Sequence, residues 1–263
     1  GYHSLWVWPI LLIAIFFIVN FIITNRQATH PIVHFHTLFS KKPFVGATMA
    51  ISSHLTLLTG IAGINVYIVR ILKLPFDISL HFYFFFFVGV IITGILKMFF
   101  YSSVGAGFLG TLGSSALLYV SIHWIILGNT INIPLLYIQG LLLGFGASMT
   151  LVSGSMVTLL DGDLKEAAQR SQTMHTIRNF SAAMLIPIIA YTIKNHIQKG
   201  TQSIYAENIT DKMIYLKKLQ DVAIDADHQI FLLMIIFNMV MFVSSIIQMI
   251  LGKGRRITPP RES

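Results

Sequence analysis

The stretch Leu80–Phe100 reads LHFYFFFFVGVIITGILKMFF, and Lys97 is the one Lys, Arg, Asp or Glu residue in it. A continuous apolar run of about 20 residues has the length that an α-helix needs to cross the hydrocarbon core of a bilayer. The run does not alternate between apolar and polar residues, as a strand of a membrane β-barrel does. It therefore predicts a transmembrane α-helix.

Other windows of the chain are also continuous apolar runs of about this length. With the first they make seven windows, roughly Leu5–Thr24, Phe44–Ile71, Leu80–Phe100, Gly107–Leu127, Ile133–Leu160, Met174–Ile193 and Ile230–Leu251. Together they predict an all-α integral membrane protein with about seven transmembrane helices.

The composition argues against a soluble protein. Hydrophobic residues make up 55% of the chain and charged residues only 11%, whereas soluble domains carry about 25% charged residues. The net charge of +8 could indicate a nucleic-acid partner. In a membrane protein, however, an excess of Lys and Arg marks the cytoplasmic side, so no nucleic acid is expected. The absence of cysteine excludes disulfides and thiolate metal sites.

The loops predict the orientation of the chain. Of the 18 Lys and Arg residues, eleven lie in one set of alternate loops and seven in the other. The richer set is expected to be cytoplasmic, which puts Gly1 outside the cell and the tail, residues 253–263, in the cytoplasm. The membrane is expected to be the inner or plasma membrane of the cell. The hydrophilic segment Lys194–His228 is then external. It is either a loop with a short amphipathic helix at Asp211–Val222 or an extension of the last helix.

The second window carries polar and small residues at steps of three or four, which places them in one stripe along a helix. They are Ser52, Thr56, Thr59, Gly63, Tyr67 and Arg70. Such a stripe should face protein or water and not lipid. It predicts either the wall of a translocation cavity or close helix packing through small residues and hydroxyl groups, and the sequence leaves both open.

His54 and Asn65 lie on the opposite face of this window. Because an ionisable residue is costly inside a membrane, His54 is a candidate for sensing or relaying protons. The alternative is a neutral histidine that is bonded to a neighbouring helix. The spanning windows contain no central Asp or Glu with which His54 could pair, and this favours the neutral histidine.

The fifth window has a broad face of small residues, which is typical of close helix packing. Its members are Gly140, Gly144, Ala147, Ser148, Gly154, Ser155 and Thr158. The link that follows is rich in charge, with Asp161, Asp163, Lys165, Glu166, Arg170 and Arg178. Ion pairs in this link could hold an inward gate. The alternative is a solvated loop, in which each pair contributes less than about 1 kcal/mol.

Two further groups indicate ligands only weakly. The aromatic run Phe82–Phe87 could stack on a hydrophobic cation, but its consecutive positions point all around a helix, so lipid contact is expected for most of it. His30, His34 and His36 could bind zinc together, but Pro31 interrupts them and the spacing is weakly specific. No metal site and no cofactor is therefore predicted.

Four segments carry a resemblance to a known family. They are His30–Val33 with Leu38–Phe44, then Gln139–Gly146, then Ala168–Ala183 with its Thr176-Ile177-Arg178-Asn179, and finally Asp227–Phe231. In this order they resemble the C-terminal half of major facilitator superfamily transporters, most closely the fourteen-helix drug–proton antiporters. They resemble the cytoplasmic link before that half, its glycine-rich helix, and the starts of its last two helices.

The resemblance implies three parts. Residues 1–43 would be an extra central transmembrane helix with a cytoplasmic link, residues 44–252 the C-terminal six-helix bundle, and residues 253–263 a cytoplasmic tail. The partner would be the missing N-terminal half of the same protein. The implied function is proton-coupled export of small hydrophobic or cationic molecules through the lipid bilayer, without enzymatic activity.

In this family the first and fourth helices of the half line the substrate cavity. The implied cavity residues are Ser52, Thr56, Thr59, Tyr67 and Ser148, with His54, and the implied gate residue is Arg178. The carboxylates that couple protons lie mostly in the N-terminal half, so none is assigned here. The link Tyr101–Gly107 departs from the pattern because it lacks an acidic–basic pair. The alternatives are a membrane-embedded enzyme and a structural or assembly subunit.

Overall fold

The computed structural model of the protein describes residues 7–28, 38–161, 166–207 and 211–252. Within these ranges the chain forms seven α-helices and no β-strand, so the prediction of an all-α chain is confirmed. The helices are α1 (Val7–Gln27), α2 (Lys41–Asn65), α3 (Phe76–Val104), α4 (Ala106–Ile125), α5 (Ile133–Leu160), α6 (Ala167–Ala206) and α7 (Lys212–Leu251). A π-helical turn, Val66–Ile71, continues α2.

Six helices of the described part, α2 to α7, are long and apolar enough to cross a membrane. Large apolar side chains such as Ile91, Met98 and Ile250 are exposed on them, and contact with water would be unfavourable for so much apolar surface. The protein is therefore an integral membrane protein. Helix α1 covers the first predicted window, and its exposed side chains include Phe16 and Phe17.

Four helices form the centre of the bundle. In the order α2, α5, α4 and α7 they pack in a ring, each against the next. Helix α3 lies outside against α5, and α6 lies outside against α7 and α2. The core between them includes Leu117, Leu143, Phe231 and Met234. It lies inside the ring, and the outer helices cover two of its sides.

Most of the helix packing repeats when the units α2–α4 and α5–α7 are exchanged, although α6 packs against α7 more extensively than α3 packs against α4. The pair α2–α7 corresponds to the pair α5–α4, and the pair α3–α5 corresponds to the pair α6–α2. The pairs α2–α5 and α4–α7 correspond to themselves. Because each unit has three helices, a chain that crosses the membrane at every helix inserts the second unit in the opposite orientation. This is the pattern of an inverted-topology repeat.

Helix α5 approaches its neighbours closely at glycines. A Cβ atom on Gly144 would lie 2.0 Å from the backbone oxygen of Phe86 on α3, and one on Gly154 would lie 2.5 Å from the backbone oxygen of Gly46 on α2. Helices come this close only where a side chain is missing. The interpretation of the small-residue face as a packing face is confirmed.

The hydrophilic segment Lys194–His228 is a helical hairpin. Helix α6 continues to Ala206, and α7 begins at Lys212. The carboxylate of Asp211 accepts hydrogen bonds from two backbone N–H groups of the first turn of α7, the closer at 2.7 Å, and such an N-cap stabilises a helix start. The extension of the last helix is therefore observed, and the separate short helix at Asp211–Val222 is not.

Several predictions fall on residues outside the described ranges. These are the histidine cluster His30, His34 and His36, the link residues Asp163 and Lys165, and the tail, residues 253–263. The domain boundaries and the orientation of the chain in the membrane also stay predictions.

Candidate functional site

The polar stripe of α2 lies inside the bundle. Thr56, Thr59 and Tyr67 have no exposed surface and Ser52 is 6% exposed, whereas Arg70 is exposed. In this structure the buried side chains of the stripe take part in packing between helices. A role in lining a cavity stays a prediction, and for these residues it would require the helices to separate.

Helix α7 covers this stripe. A Cβ atom on Gly63 would lie 2.6 Å from a ring carbon of Phe231, so the two helices touch at this glycine. The Thr59 hydroxyl donates within its own helix, to the backbone oxygen of Leu55 at 2.9 Å. The Thr56 hydroxyl is buried and has no hydrogen-bond partner among the described residues, although buried polar atoms are usually paired.

A buried carboxylate lies where α2 finishes, at what we call the Tyr67 end of the bundle. Asp227 of α7 is 1% exposed, and neither of its carboxylate oxygens has a hydrogen-bond partner within the described ranges. The side chain of Tyr67 lies within electrostatic range of Asp227, and its hydroxyl donates to the backbone oxygen of Gly128. The ring of His228 is hydrogen-bonded to the backbone oxygen of Leu127 at 2.8 Å.

The sequence indicates that Asp227 is buried if the segment around it is helical. The prediction of a loop at Lys194–His228 left this burial unnoticed. Asp227 belongs to a series at steps of three or four residues that is buried along α7 and continues through Ile230, Met234, Asn238 and Met241. On an extended helix, this series puts the carboxylate on the buried side. In a loop the same residue would be solvated.

The opposite face of α2 is only partly covered, and we call it the open face. His54, Leu58, Ile61 and Asn65 lie along it at steps of three or four residues and are half-buried. The Tyr83 hydroxyl of α3 donates a hydrogen bond of 2.8 Å to the side-chain oxygen of Asn65. The open face is therefore where a ligand could reach polar groups of α2 without separating the helices.

Two of the predicted site residues lie within electrostatic range of each other. His54 of α2 lies close enough to Arg178 of α6 for their charges to interact. His175, about one turn before Arg178, also lies within electrostatic range of it. The Nε atom of Arg178 is buried and has no hydrogen-bond partner in the described part of the chain. His54 thus faces a cation.

Ser148, predicted from its place on α5, is contacted by a lysine. The Nζ atom of Lys97 on α3 donates to the backbone oxygen of Ser148 at 2.8 Å. The sequence analysis counted Lys97 among the loop charges, but it lies within α3 and is half-buried. The sequence already indicates a position inside the helix, because Lys97 is the single Lys, Arg, Asp or Glu residue in the apolar run Leu80–Phe100.

His54 and Ser148 lie at the same depth. The Ser53 hydroxyl donates to the backbone oxygen of Ala147 at 3.1 Å, which sets the register of α2 against α5. The next residue on each helix is therefore His54 on α2 and Ser148 on α5. At a rise of 1.5 Å per residue, both lie roughly 20 Å along the axis from the ends of their helices.

Arg178 lies near the same level. Ile51 of α2, Leu151 of α5 and Ile177 of α6 pack against one small core cluster, and Arg178 directly follows Ile177. His54 lies one turn from Ile51. We call the resulting group, at the middle of the open face, the basic belt. It consists of Lys97, His54 and Arg178, with Ser148 at its centre.

A second polar cluster lies at the opposite end of the bundle, where α2 begins, which we call the Lys42 end. Arg170 is 1% exposed, and its guanidinium donates to the backbone oxygens of Thr158 at 2.9 Å and Leu159 at 3.0 Å. Lys42 and Asp161 form an ion pair at 3.5 Å. Together these contacts join the ends of α2, α5 and α6, so Arg170 does not belong to a solvated loop.

The aromatic run of α3 divides between the core and the membrane. Phe82 and Phe86 are buried, whereas Phe84 and Phe87 are each 60% exposed. The exposed rings point away from the bundle, as expected for lipid contact. The run therefore offers no continuous surface to a ligand.

No protein-family model matches this chain, and a search of curated proteins returns no similar sequence. Within the described ranges, no group of three or more His, Asp or Glu side chains is close enough to hold a metal ion. What the chain does must therefore be inferred from its own residues. The basic belt is the place where they are most unusual for a membrane interior.

Proposed function

We propose that the chain forms one half of a secondary transporter that moves small hydrophobic molecules across the membrane, with protons as the coupling ion. The observation that carries the proposal is the basic belt, where polar groups of four helices lie at about the same level, half-way along α2 and α5. Such groups are costly in contact with lipid. Contact with a substrate would explain why these groups are present.

The arrangement of the helices supports the same proposal. Two three-helix units with a repeated packing pattern are typical of secondary transporters built from inverted repeats, whose substrate sites lie near the middle of the bilayer. In such transporters one bundle moves against another around the site. The second bundle would be the N-terminal half that the family resemblance implies.

Asp227 is the residue that we propose for proton binding in this half. Its carboxyl group is buried and has no hydrogen-bond partner in the described ranges, and an ionised carboxylate is costly in such a place. A group of this kind can alternate between a protonated buried state and an ionised state that is exposed when the helices rearrange. This alternation would link proton transfer to helix movement.

The alternatives fit the open face less well. A structural subunit needs only packing faces, so it has no use for charges at this depth. A membrane enzyme needs acids, histidines or metal ligands that converge on one substrate. The open face combines basic groups with apolar neighbours, and no Asp or Glu is described near it, which favours binding over hydrolysis.

The test is efflux of a panel of cationic, neutral and anionic hydrophobic dyes from cells that express the full-length gene. We expect efflux that a protonophore abolishes. The substitution Ser148→Leu, which fills the centre of the basic belt, should slow efflux. Ser115→Leu is the matched control, because Ser115 is exposed on α4. No efflux of any dye, from protein shown to be folded in the membrane, would contradict the proposal.

A further inference from the structure

We infer that the basic belt binds amphipathic small molecules that carry a carboxylate, with Lys97, Arg178 and His54 as the groups that attract it or hydrogen-bond to it. The inference rests on the proposed transport function and narrows its substrates to organic anions. It differs from the expectation of cationic substrates that follows from the family resemblance.

No carboxylate within the described ranges forms an ion pair with Lys97. An ammonium group has three donors, and one of them goes to the uncharged backbone oxygen of Ser148. The ion pairs in the described ranges are formed by Lys42, His81, Arg170 and Lys218, and none involves Lys97. A half-buried ammonium group near the middle of a membrane therefore remains available to an anion.

Arg178 adds a second cation near the same level, and His54 lies within electrostatic range of it. A cation beside another basic group is unfavourable unless an anion lies near both. The buried Nε atom of Arg178 has no acceptor among the described residues, and a carboxylate is the group that a guanidinium binds best, through two parallel hydrogen bonds. A carboxylate at Arg178 would supply the missing acceptor and a negative charge for the belt.

The described acidic residues lie far from the belt. At the Tyr67 end and on the hairpin beyond it are Asp77, Glu207, Asp211, Asp221, Asp225 and Asp227, and at the Lys42 end are Asp161 and Glu166. Within the part of the chain that the structure describes, the belt therefore has basic groups and no carboxylate. It should repel a cationic molecule and attract an anionic one.

The surroundings of the belt define the rest of the ligand. Leu58 and Ile61 on α2 and Leu151 on α5 are half-buried, and Val152 on α5 is 41% exposed. Apolar surface of this kind gains free energy when a hydrocarbon covers it. The ligand that suits both features is an apolar body with one carboxylate.

The test compares three probes that share one body. They are dansyl-labelled undecanoic acid, its methyl ester and the corresponding amine, titrated by fluorescence into the full-length protein in detergent. We expect the acid to bind at least about tenfold more tightly than the ester, since a hydrogen bond to a charged group is worth one such factor or more. The amine should bind most weakly.

Substitutions locate the binding. Lys97→Met and Arg178→Gln should each weaken binding of the acid by about tenfold and change binding of the ester by less than about twofold. Lys199→Gln, an exposed lysine on the same helix as Arg178, should change neither. If Arg178→Gln does not fold, Lys97→Met and His54→Gln still test the belt.

The outcomes separate this inference from the transport proposal. Equal or tighter binding of the ester or the amine overturns the inference, even if the protein transports dyes. Variants that weaken all three probes alike also overturn it, because the effect would then not depend on the carboxylate. Selective binding of the acid without efflux of any dye would support the inference and contradict the transport proposal.

Discussion

The Nζ atom of Lys97 donates a hydrogen bond of 2.8 Å to the backbone oxygen of Ser148, and so joins α3 to α5 about half-way along α5. The substitution Lys97→Met keeps the apolar stem and removes the charge. We expect efflux to fall by about tenfold or more. Thermal stability in detergent should change by less than about 1 kcal/mol, because the Ser148 oxygen keeps its bond within the helix.

Both quantities are to be measured on the same preparation of Lys97→Met. A large loss of stability with normal efflux per folded molecule would give Lys97 a structural role. The basic belt would then not be the proposed substrate site.

Arg170 is expected to stabilise the Lys42 end. Arg170→Ala leaves the backbone oxygens of Thr158 and Leu159 without their buried donor, and we expect a loss of about 3–5 kcal/mol. The measurement is thermal unfolding in detergent. Lys199→Ala, an exposed residue of the same helix, should cost less than about 0.5 kcal/mol. A similarly small effect at Arg170 would mean that water replaces its contacts.

The contact of α3 with α5 should not tolerate a side chain at Gly144. Gly144→Ala places a Cβ atom 2.0 Å from the backbone oxygen of Phe86, which forces the helices apart at a cost of about 1–3 kcal/mol. The matched control is Gly94→Ala on α3, where a Cβ atom would meet nothing within 4 Å. This control should be neutral or slightly stabilising. Equal unfolding temperatures for the two variants would show that the helices are not in close contact.

Asp227→Asn should separate transport from its driving force. The amide keeps the shape of the carboxyl group but cannot take up and release a proton, so we expect downhill exchange of substrate to persist and uphill efflux to stop. Transport is measured in proteoliposomes with and without a proton gradient. Asp225→Asn, two residues earlier and exposed, should behave like the unchanged protein. Uphill efflux by Asp227→Asn would show that another residue couples transport to protons.

Thr56 tests whether the polar stripe of α2 packs or lines a cavity. Thr56→Val removes a buried hydroxyl that has no partner among the described residues, so we expect stability to stay equal or to rise by up to about 1 kcal/mol. Ser53→Ala is the contrast, since it removes the bonds to Ala147 and Thr150 and should cost about 1 kcal/mol. A changed dye preference in Thr56→Val would favour the cavity.

The sequence by itself determined the membrane helices and much of their packing. A segment that crosses lipid must be apolar over its whole length and must satisfy its backbone hydrogen bonds internally, and both demands are local. The window Ile133–Leu160 therefore coincides with α5. The glycines of α5 could also be interpreted from the sequence, because close approach of two helices requires small residues wherever it occurs.

Only the tertiary structure decided which polar groups are covered and which remain open. The stripe with Thr56 and the face with His54 both carry polar residues in the sequence, but α7 covers the first and leaves the second half-buried. Lys97 and Asp227 were placed in or beside loops, yet lie within helices, one at the basic belt and one in the interior. Burial depends on which distant segment packs on a given face, and local periodicity does not contain that information.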